Sequence, residues 1–439
     1  MVIFIKIVQL LLSLSILVIF HEFGHFIAAK IFKIKVEKFY LFFDPWFSLF
    51  KFKIKDTEYG VGWLPLGGYV KIAGMIDESM DVEQMKQPPK PWEFRSKPAW
   101  QRLIVMIAGV TVNLILAIVI YIGLLLNLGE RYLPSNEVKY GIAVDSMGYQ
   151  MGLRNGDKIL SIDNKYVEDF SAIPKTIILD EAKTIQINRD GRDTSIAIPK
   201  GIISKLIKTK SGELIIPRFP FEAAKFSPGS TAEKAGMKVN DRIIGVNDSL
   251  VPYFDEFRMA ISKFKNQKVN LKIIRGKDTL ILLTAVSAEG RIGVYPKDLS
   301  NYFNLKEKKY NALTAIPAGC AKAFIGAGNY LKSIKLIFSQ EKAYESVGGF
   351  IAIGNIFPGT WDWISFWSLT AFLSIMLAIL NILPIPGLDG GHVMFVLYEI
   401  IFRRKPGDKF LEYAQIGGMI FLIGLLIFAN LNDILKLFH

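Results

Sequence analysis

The chain reads LLLSLSILVIFHEFGH from Leu10 to His25. Mostly apolar residues continue back to Val2, which gives about 18 or more residues, enough to span or nearly span a bilayer as a helix. An ionisable group inside such a helix costs about 2.5–3.5 kcal/mol, so the groups that do occur there usually have a function. The stretch therefore predicts a membrane-spanning helix that carries a functional site.

The spacing of the polar residues in this helix indicates a metal site. His21 and His25 are four residues apart and lie on one helical face, where two imidazoles can bind one metal ion, and zinc suits such ligands. Glu22 would stand beside the ion, able to take a proton from a bound water. Zinc also needs a third protein ligand and an open fourth position. A chance match to so short a pattern is the alternative, and the cost of placing these groups in a membrane argues against it.

Composition agrees with a polytopic membrane protein. The chain has 439 residues, of which 51% are hydrophobic, and the hydrophobic residues fall in long runs. Its net charge of +13 is compatible with nucleic-acid binding, but lysine and arginine in cytoplasmic loops beside anionic lipid explain it better. We therefore expect a lipid bilayer, and no nucleic acid, as a partner. The single cysteine, Cys320, excludes an internal disulfide and a cysteine-based metal cluster.

Four apolar segments are long enough to cross a membrane. The basic loops that follow the first and third segments, around Lys33 and Arg403, indicate the cytoplasmic side. The long stretch 129–362 then lies outside the cytoplasm, together with both termini. The first segment lacks a small-residue cleavage site and carries the metal motif, so we expect it to be retained rather than removed as a signal peptide. The four predicted spans are 2–29, 103–128, 364–383 and 416–431.

The outer segment contains an internal repeat. Residues 151–163 read MGLRNGDKILSID and residues 235–247 read AGMKVNDRIIGVN, so glycine, aspartate, basic and isoleucine positions recur. Each copy combines a turn with a strand-like run, and a further strand candidate follows at 184–187 and at 269–274. The repeat predicts two tandem β-rich domains, which either bind extended peptides at a sheet edge or act as spacers that exclude bulky molecules.

Two further segments have an interfacial character. Residues 90–100 mix proline, tryptophan and basic side chains ahead of the second span. Residues 311–339 carry apolar residues at helical spacing, interrupted by Lys322, Lys332 and Lys335. We expect this second segment to lie on the membrane surface as an amphipathic helix or to pack against the repeats.

The third span ends in a polar sequence, which reads NILPIPGLDGGH from Asn381 to His392. Its two prolines break the helix near membrane depth, where irregular backbone is tolerated if it lines a cavity. Asp389 has small neighbours and is our candidate for the third metal ligand, with helix capping in a solvated loop as the alternative. Asn381 could stabilise an oxyanion or bond to a neighbouring helix. His392 is a rival ligand.

The sequences HEFGH in the first span and NILPIPGLDGGH in a late span resemble the two motifs of the site-2 protease family of intramembrane zinc metalloproteases. The order of the spans and the inserted repeat, which resembles tandem PDZ domains, extend the likeness over nearly the whole chain. The resemblance implies Zn²⁺ as the cofactor. It also implies the metal ligands His21, His25 and Asp389, the general base Glu22 and the active-site asparagine Asn381.

The family also has a re-entrant, β-structured loop between its first two spans. Residues 63–71, WLPLGGYVK, resemble its glycine-containing part. The resemblance implies that Gly67, Gly68 and Tyr69 pair with the substrate backbone as an added strand, while Asn381 contacts the bond to be cleaved. A plain hairpin turn at the glycine pair is the alternative. The second span departs from the family at Val110, where a proline is common.

We therefore predict a polytopic α-helical membrane protein with four transmembrane helices and two inserted β-rich, PDZ-like domains. The expected location is the bacterial inner membrane, with the PDZ-like domains on the extracytoplasmic side. The predicted regions are the first span with the metal motif (1–30), the loop region (31–101), the second span (102–128), the two PDZ-like domains (129–209 and 210–298), an amphipathic juxtamembrane region (299–362), the third span with the LDGG motif (363–400), and the basic loop with the fourth span (401–439).

The expected function is that of a zinc metalloendopeptidase acting in regulated intramembrane proteolysis. The resemblance implies single-span membrane proteins as substrates, such as anti-sigma factors or remnant signal peptides. The alternative is a catalytically silent membrane scaffold that binds peptides through its repeats. Such a scaffold would show no dependence on Glu22 and no tightly bound zinc. A metal transporter would need more ionisable groups in its spans than this chain has.

Overall fold

A computed structural model describes residues 1–65, 67–75, 88–209, 214–341, 343–436 and 438. The chain divides into two compact units. The membrane unit comprises Met1–Gly129, Lys309–Ile337 and Tyr344–His439, and the repeat unit comprises Glu130–Lys308 and Phe338–Ala343. Leu66, within the predicted substrate loop, lies outside the described residues.

The α-helices are, in chain order, α1 (Val2–Ile31), α2 (Ala99–Leu128), α3 (Ser146–Gln150), α4 (Ile173–Leu179), α5 (Ile202–Thr209), α6 (Thr231–Lys234), α7 (Phe254–Ile261), α8 (Ala312–Ser339), α9 (Phe350–Ile356), α10 (Trp363–Ile382), α11 (Asp389–Phe402) and α12 (Asp408–Leu435).

The strands are β1 (Val36–Leu41), β2 (Phe43–Ile54), β3 (Thr57–Leu64), β4 (Tyr69–Ile72), β5 (Glu130–Tyr132), β6 (Ile142–Val144), β7 (Lys158–Ile162), β8 (Thr184–Arg189), β9 (Arg192–Ala197), β10 (Ile215–Pro217), β11 (Phe221–Phe226), β12 (Arg242–Val246), β13 (Ser249–Leu250), β14 (Lys268–Arg275), β15 (Asp278–Ala285), β16 (Val294–Pro296) and β17 (Lys306–Lys308).

Four helices in the described part of the chain are long and apolar enough to cross a membrane: Val2–Ile31, Ala99–Leu128, Trp363–Ile382 and Lys409–Leu435. Each matches one predicted span, so the prediction of four apolar spans is confirmed. The last helix is longer than its prediction at both ends. Its extra residues are more polar, and the hydropathy pattern alone excluded them.

The membrane unit is organised around α2, which packs against α1, α10 and α11. Small residues make close approach possible, since Ala117 on α2 and Ala371 on α10 are completely buried together with Ile375. Buried hydroxyl groups add hydrogen bonds between helices. Thr370 donates to the hydroxyl of Ser13 at 3.0 Å. Such polar contacts are worth about 0.6–2 kcal/mol each between membrane helices.

The long helix α8 packs on the spans through small residues. A Cβ added at Gly319 would lie 2.5 Å from Ile122 Cγ1 on α2, and Ala323 belongs to the same buried cluster as Ala117. Alanine or glycine at every fourth position lets two helical backbones come close. The sequence predicted a surface-lying helix or packing against the repeats, and neither placement includes this contact. The lysines of α8 indicate a polar face, and the small residues on its other face give no comparably clear signal in the sequence.

A four-stranded sheet follows α1, with the strand order β2-β3-β1-β4. Strand β1 pairs with β3 in parallel and with β4 antiparallel, so β3 and β4 do not pair with each other. The glycine pair Gly67-Gly68 connects β3 to β4 across β1. The alternative of a plain hairpin turn is therefore wrong, because β1 lies between β3 and β4 in the sheet. Strand β4 lies at an edge of the sheet.

The repeat unit contains two similar successions of elements, which differ by a helix before the closing strand of the first and a short extra strand in the second. The first repeat runs β6-α3-β7-α4-β8-β9-α5-β10 and the second runs β11-α6-β12-β13-α7-β14-β15-β16. In the first, β7, β8 and β9 form an antiparallel sheet and β6 pairs with β10. In the second, β12, β14 and β15 are antiparallel and β11 pairs with β16. Each repeat has its own buried apolar cluster.

Strand pairing extends the first repeat beyond the boundary predicted at residue 209. Strand β10 pairs antiparallel with β6, from Ile215 opposite Val144 to Pro217 opposite Ile142. The first repeat therefore ends at Pro217. A closing strand of three residues carries too little periodicity to be recognised in sequence, so the predicted boundary fell too early.

An aspartate–arginine pair recurs at the same place in both repeats. Arg189 donates from Nε to Asp157 Oδ1 and from Nη2 to Asp157 Oδ2, both at 2.8 Å. Arg275 makes the same pair of bonds to Asp241, at 2.8 and 2.7 Å. Each aspartate side chain is only 1% exposed. The buried carboxylate of each repeat is thus neutralised by a two-pronged guanidinium contact.

Candidate metal centre

Helix α1 brings two imidazoles and a carboxylate to one region of the membrane unit. His21 and His25 are 7% and 6% exposed and follow each other by one helical turn. Glu22, between them in sequence, is partly buried and lines the same cavity. The arrangement follows directly from the i, i+4 spacing, because a regular helix places such residues on one face.

Asp389 reaches these imidazoles because the third span is broken. Helix α10 ends at Ile382, a short turn follows, and Asp389 is the first residue of α11. The two residues after it are glycines, and a Cβ at Gly390 would lie 2.1 Å from the carbonyl oxygen of Leu383. The turn is therefore compact only with glycine there. Asp389 does not act as the helix cap, since Leu388 occupies the N-cap position.

The three side chains present their ligand atoms to one point. Asp389 Oδ2 lies 3.2 Å from Nε2 of His21 and 3.2 Å from Nε2 of His25. The two Nε2 atoms are 3.3 Å apart. A tetrahedral zinc site with bonds of about 2.0–2.1 Å has ligand atoms about 3.3–3.4 Å from one another. The spacing and the two-nitrogen, one-oxygen donor set therefore fit zinc with one position left open.

Helix α2 supports both imidazoles from behind. The backbone oxygen of Val105 accepts a hydrogen bond from His25 Nδ1 at 2.8 Å. A Cβ added at Gly109 would lie 2.3 Å from His25 Nε2 and 2.8 Å from His21 Cε1. One turn further along, the amide nitrogen Nδ2 of Asn113 is 3.4 Å from His21 Nδ1. The two histidines thus rest in a cradle that a side chain at position 109 would fill.

The other predicted residues lie around this cluster. Asn381 Nδ2 is 3.2 Å from His21 Nε2, beside the ligand atoms rather than against a distant helix. His392 lines the cavity but is not among the three residues whose ligand atoms converge. Among the described residues, only His21, His25 and Asp389 form such a cluster.

The cluster opens into a cavity of about 790 Å³. Its walls include the loop and strand predicted to bind substrate, at Gly67, Gly68 and Tyr69, and also Gln415 of α12. The loop approaches α1 closely, since a Cβ at Gly68 would lie 2.6 Å from Val18 Cγ1. The structure therefore brings the predicted metal ligands, Glu22, Asn381 and the glycine loop to one cavity.

Three residues of this site were not predicted from sequence: Gly109 and Asn113 on α2, and Gln415 on α12. A polar residue inside an apolar span is the signal that could have identified Asn113 and Gln415, because such groups are costly in a membrane. No local signal identifies Gly109, whose importance depends on the helix packed against it.

A bundle of apolar helices that gathers two imidazoles, an aspartate and a glutamate around one cavity defines the class of membrane-embedded metalloproteases. The family follows from comparison with known proteins. A model of Peptidase family M50 matches residues 9–425, and the chain belongs to that family. It is accordingly an intramembrane zinc metalloprotease, which confirms the predicted enzyme class and the predicted cofactor and sets aside the silent-scaffold alternative.

Individual relatives extend over almost the whole chain. A Campylobacter jejuni protein that carries a zinc-metalloprotease name is 29% identical over 430 residues, covering 97% of this chain and 92% of the relative. The regulator of sigma E protease of Haemophilus influenzae is 26% identical over 458 residues, covering 97% and 98%. Protease RseP of Yersinia pestis is 27% identical over 459 residues, also covering 97% and 98%.

Proposed function

We propose that this chain cleaves single-span membrane proteins within or near the bilayer, with His21, His25 and Asp389 holding one zinc ion. The observation that carries the proposal is the convergence of three ligand atoms, 3.2–3.3 Å apart, inside an apolar helical bundle. Two imidazoles and a carboxylate gathered in a membrane are costly unless a function retains them.

Glu22 acts as the general base. When bound, zinc supplies Lewis acidity that makes water a nucleophile at neutral pH. Glu22 lies on the cavity wall next to His21 in sequence, where it can accept the proton of the attacking water and return it to the leaving amine. The backbone of Val70 on β4 interacts with the Glu22 carboxylate, which helps to hold the base beside the substrate strand.

Asn381 stabilises the oxyanion. Its Nδ2 is a hydrogen-bond donor 3.2 Å from His21 Nε2, so the amide lies beside the ligand atoms. A donor preorganised in a site shielded from bulk water stabilises negative charge on the scissile carbonyl oxygen as it develops. We expect the amide to contact the substrate only when the peptide bond reaches the cavity.

The substrate binds to β4 as an added strand. Strand β4 forms the edge of its sheet, next to β1, and its first residue, Tyr69, lines the cavity. Gly67 and Gly68 lead into this strand, and the close contact of Gly68 with α1 brings the strand near Glu22. A substrate helix must unwind before its backbone can pair in this way, since an edge strand recognises extended chain.

The repeats are PDZ-like domains on the extracytoplasmic side of a bacterial inner membrane. A cavity of about 960 Å³ is lined by α7 and the edge strand β16 of the second repeat, and also by Ala143 and Val144 of the first. An extended peptide could add to that edge, with Phe257 and Val294 on the cavity wall. The other role left open is exclusion of substrates with bulky outer domains, which would limit cleavage to shortened proteins.

The name of one relative, regulator of sigma E protease, supports a regulatory membrane protein as the substrate. An anti-sigma factor or a remnant signal peptide has the required single span. Comparing the membrane proteins that accumulate when Glu22 is replaced would identify which of these it is.

The decisive variant for this mechanism is Glu22→Gln, tested on a model single-span substrate in proteoliposomes. Loss of the base should reduce cleavage by about 10²–10⁴-fold while the zinc content and the thermal unfolding profile stay unchanged. Glu412→Gln is the matched control, because Glu412 is a carboxylate of α12 outside the cavity lining. Cleavage by Glu22→Gln at the control rate would refute the mechanism.

A further inference from the structure

Helix α2 contacts the candidate ligands His21 and His25 through three residues spaced four apart, which are Val105, Gly109 and Asn113. The first and last positions meet the ring nitrogens that face away from the metal site. Val105 uses its backbone oxygen, which accepts from His25 Nδ1. With its proton on Nδ1, His25 has a free lone pair on Nε2, the nitrogen that faces Asp389. A metal-binding histidine usually has its tautomer fixed in this way by a group behind it.

His21 meets a side-chain amide in the equivalent place. Asn113 is completely buried, and its Nδ2 lies 3.4 Å from His21 Nδ1. Its Oδ1 is also buried and accepts no hydrogen bond from the part of the chain that the structure describes. An amide nitrogen can only donate, so this orientation places the His21 ring proton on Nε2. That proton would occupy the lone pair needed to bind a metal.

A half-turn of the amide exchanges its two ends without changing its shape. The turn brings Oδ1 to His21 Nδ1. The described residues offer no other hydrogen bond to this side chain, so nothing else holds the amide in one orientation. The backbone of Asn113 is anchored separately, because Ser374 donates to its carbonyl oxygen at 2.7 Å.

We propose that Asn113 is a positioning residue for His21, whose Oδ1 accepts the Nδ1 proton and thereby leaves Nε2 free to bind zinc. The inference rests on the zinc site of the proposed function. It makes α2 the element that sets the tautomer of both ligands, one through a backbone carbonyl and the other through a side chain. The proposal can be tested through the direction of the hydrogen bond between the Asn113 side chain and His21 Nδ1.

Two variants separate positioning from packing. Asn113→Asp keeps the shape and provides only acceptors, so it should hold zinc at least as well as the wild type. Asn113→Leu keeps the approximate volume and provides no acceptor, so it should release zinc to an excess of chelator about 10–100-fold faster. Thr111→Val, an exposed hydroxyl change on the same helix, should leave the release rate unchanged. Zinc release from purified protein in detergent is the measurement.

The outcomes distinguish the inference from the proposed site. Equal release from Asn113→Leu and the wild type, or better retention by Leu than by Asp, would overturn the positioning role and leave the zinc site intact. A wild type that binds no zinc would overturn the proposed site itself. If Asn113→Leu does not fold, Asn113→Asp decides alone: retained zinc supports an acceptor at this position, and lost zinc refutes it.

Discussion

The two units of this protein surround their carboxylates with different partners, the repeats around fully buried aspartates and the membrane unit around the part-buried Asp389. In the repeat unit, Asp157 and Asp241 each face an arginine that donates two hydrogen bonds. In the membrane unit, Asp389 faces two imidazoles, and no lysine or arginine among the described residues forms a salt bridge with it. The repeats pair each carboxylate with an arginine, whereas the candidate metal centre pairs Asp389 only with imidazoles, which are themselves metal-binding groups.

The difference shows how a stabilising pair differs from a binding site. A buried charge is tolerated when it is paired and hydrogen-bonded, and the repeats achieve this with residues of the chain. The membrane unit brings two imidazoles and a carboxylate together, and in the proposed site a divalent ion would complete the pairing. Gln415 follows the same pattern. It is 6% exposed, lines the cavity and has no hydrogen bond to the residues that the structure describes.

The largest effect should follow from filling the cradle behind the histidines. A Cβ at Gly109 overlaps His25 Nε2, so Gly109→Ala should displace both ligands and reduce cleavage by about 10²-fold or more, with loss of zinc. Gly123→Ala is the control on the same helix, because a Cβ there meets nothing within 4 Å. Cleavage rate and zinc content are measured together. Normal zinc binding in Gly109→Ala would show that the cradle is not needed.

Removing a counter-charged carboxylate from the repeats should affect stability rather than zinc. Asp241→Asn leaves Arg275 without its charged partner and should lower the free energy of unfolding of the repeat unit by about 2–3 kcal/mol, less than for a fully buried pair because Arg275 is partly exposed. Thermal unfolding of the full chain measures this, with the exposed Asp278→Asn as the control. Zinc loss in Asp241→Asn would contradict a purely stabilising role for this carboxylate.

The same pair should make the repeat unit sensitive to acid. Burial alone would raise the pKa of Asp241, but hydrogen bonds from Arg275 and from the backbone of Lys238 outweigh burial and lower it. Because the folded pKa lies below the unfolded value of about 3.9, the stabilisation is present above that value and is lost as the pH falls toward the folded pKa. Unfolding measured between pH 3 and 6 should depend less on pH in Asp241→Asn. An equal dependence would contradict the assignment.

The smallest effect is expected at Gln415. If its free amide meets substrate, Gln415→Leu should raise KM by about threefold to tenfold, with kcat and zinc content unchanged, since one neutral hydrogen bond is worth about 0.5–1.5 kcal/mol. Steady-state cleavage of the model substrate measures both constants. An unchanged KM would remove Gln415 from the substrate site.

Local parts of the site could be predicted from sequence, and parts that depend on tertiary packing could not. The spacing of His21 and His25 implies a common face because one helix contains both. Asp389 was selected by the break in the span and by family resemblance, and its distance to the histidines depends on how α11 packs. The arginines of the repeats were missed, because a single arginine at the end of a strand gives no local signal.

The fold shows the same division. Apolar runs predicted all four candidate spans because the membrane imposes length and composition on each one separately. The pairing of β4 with β1 was not predicted, since neither the substrate-binding loop nor the hairpin alternative specifies which strand lies beside β4. The small-residue face of α8 was also overlooked, because lysines on the same helix suggested a surface position.

The zinc content of matched variants shows whether Asp389 binds the metal. Wild-type protein and the two matched variants Asp389→Asn and Asp241→Asn are purified in detergent, and bound zinc is measured by mass spectrometry after dialysis. We predict one zinc per chain in the wild type and in Asp241→Asn, and a large loss in Asp389→Asn. Full zinc occupancy in Asp389→Asn would contradict the proposal that this carboxylate is a ligand of the metal.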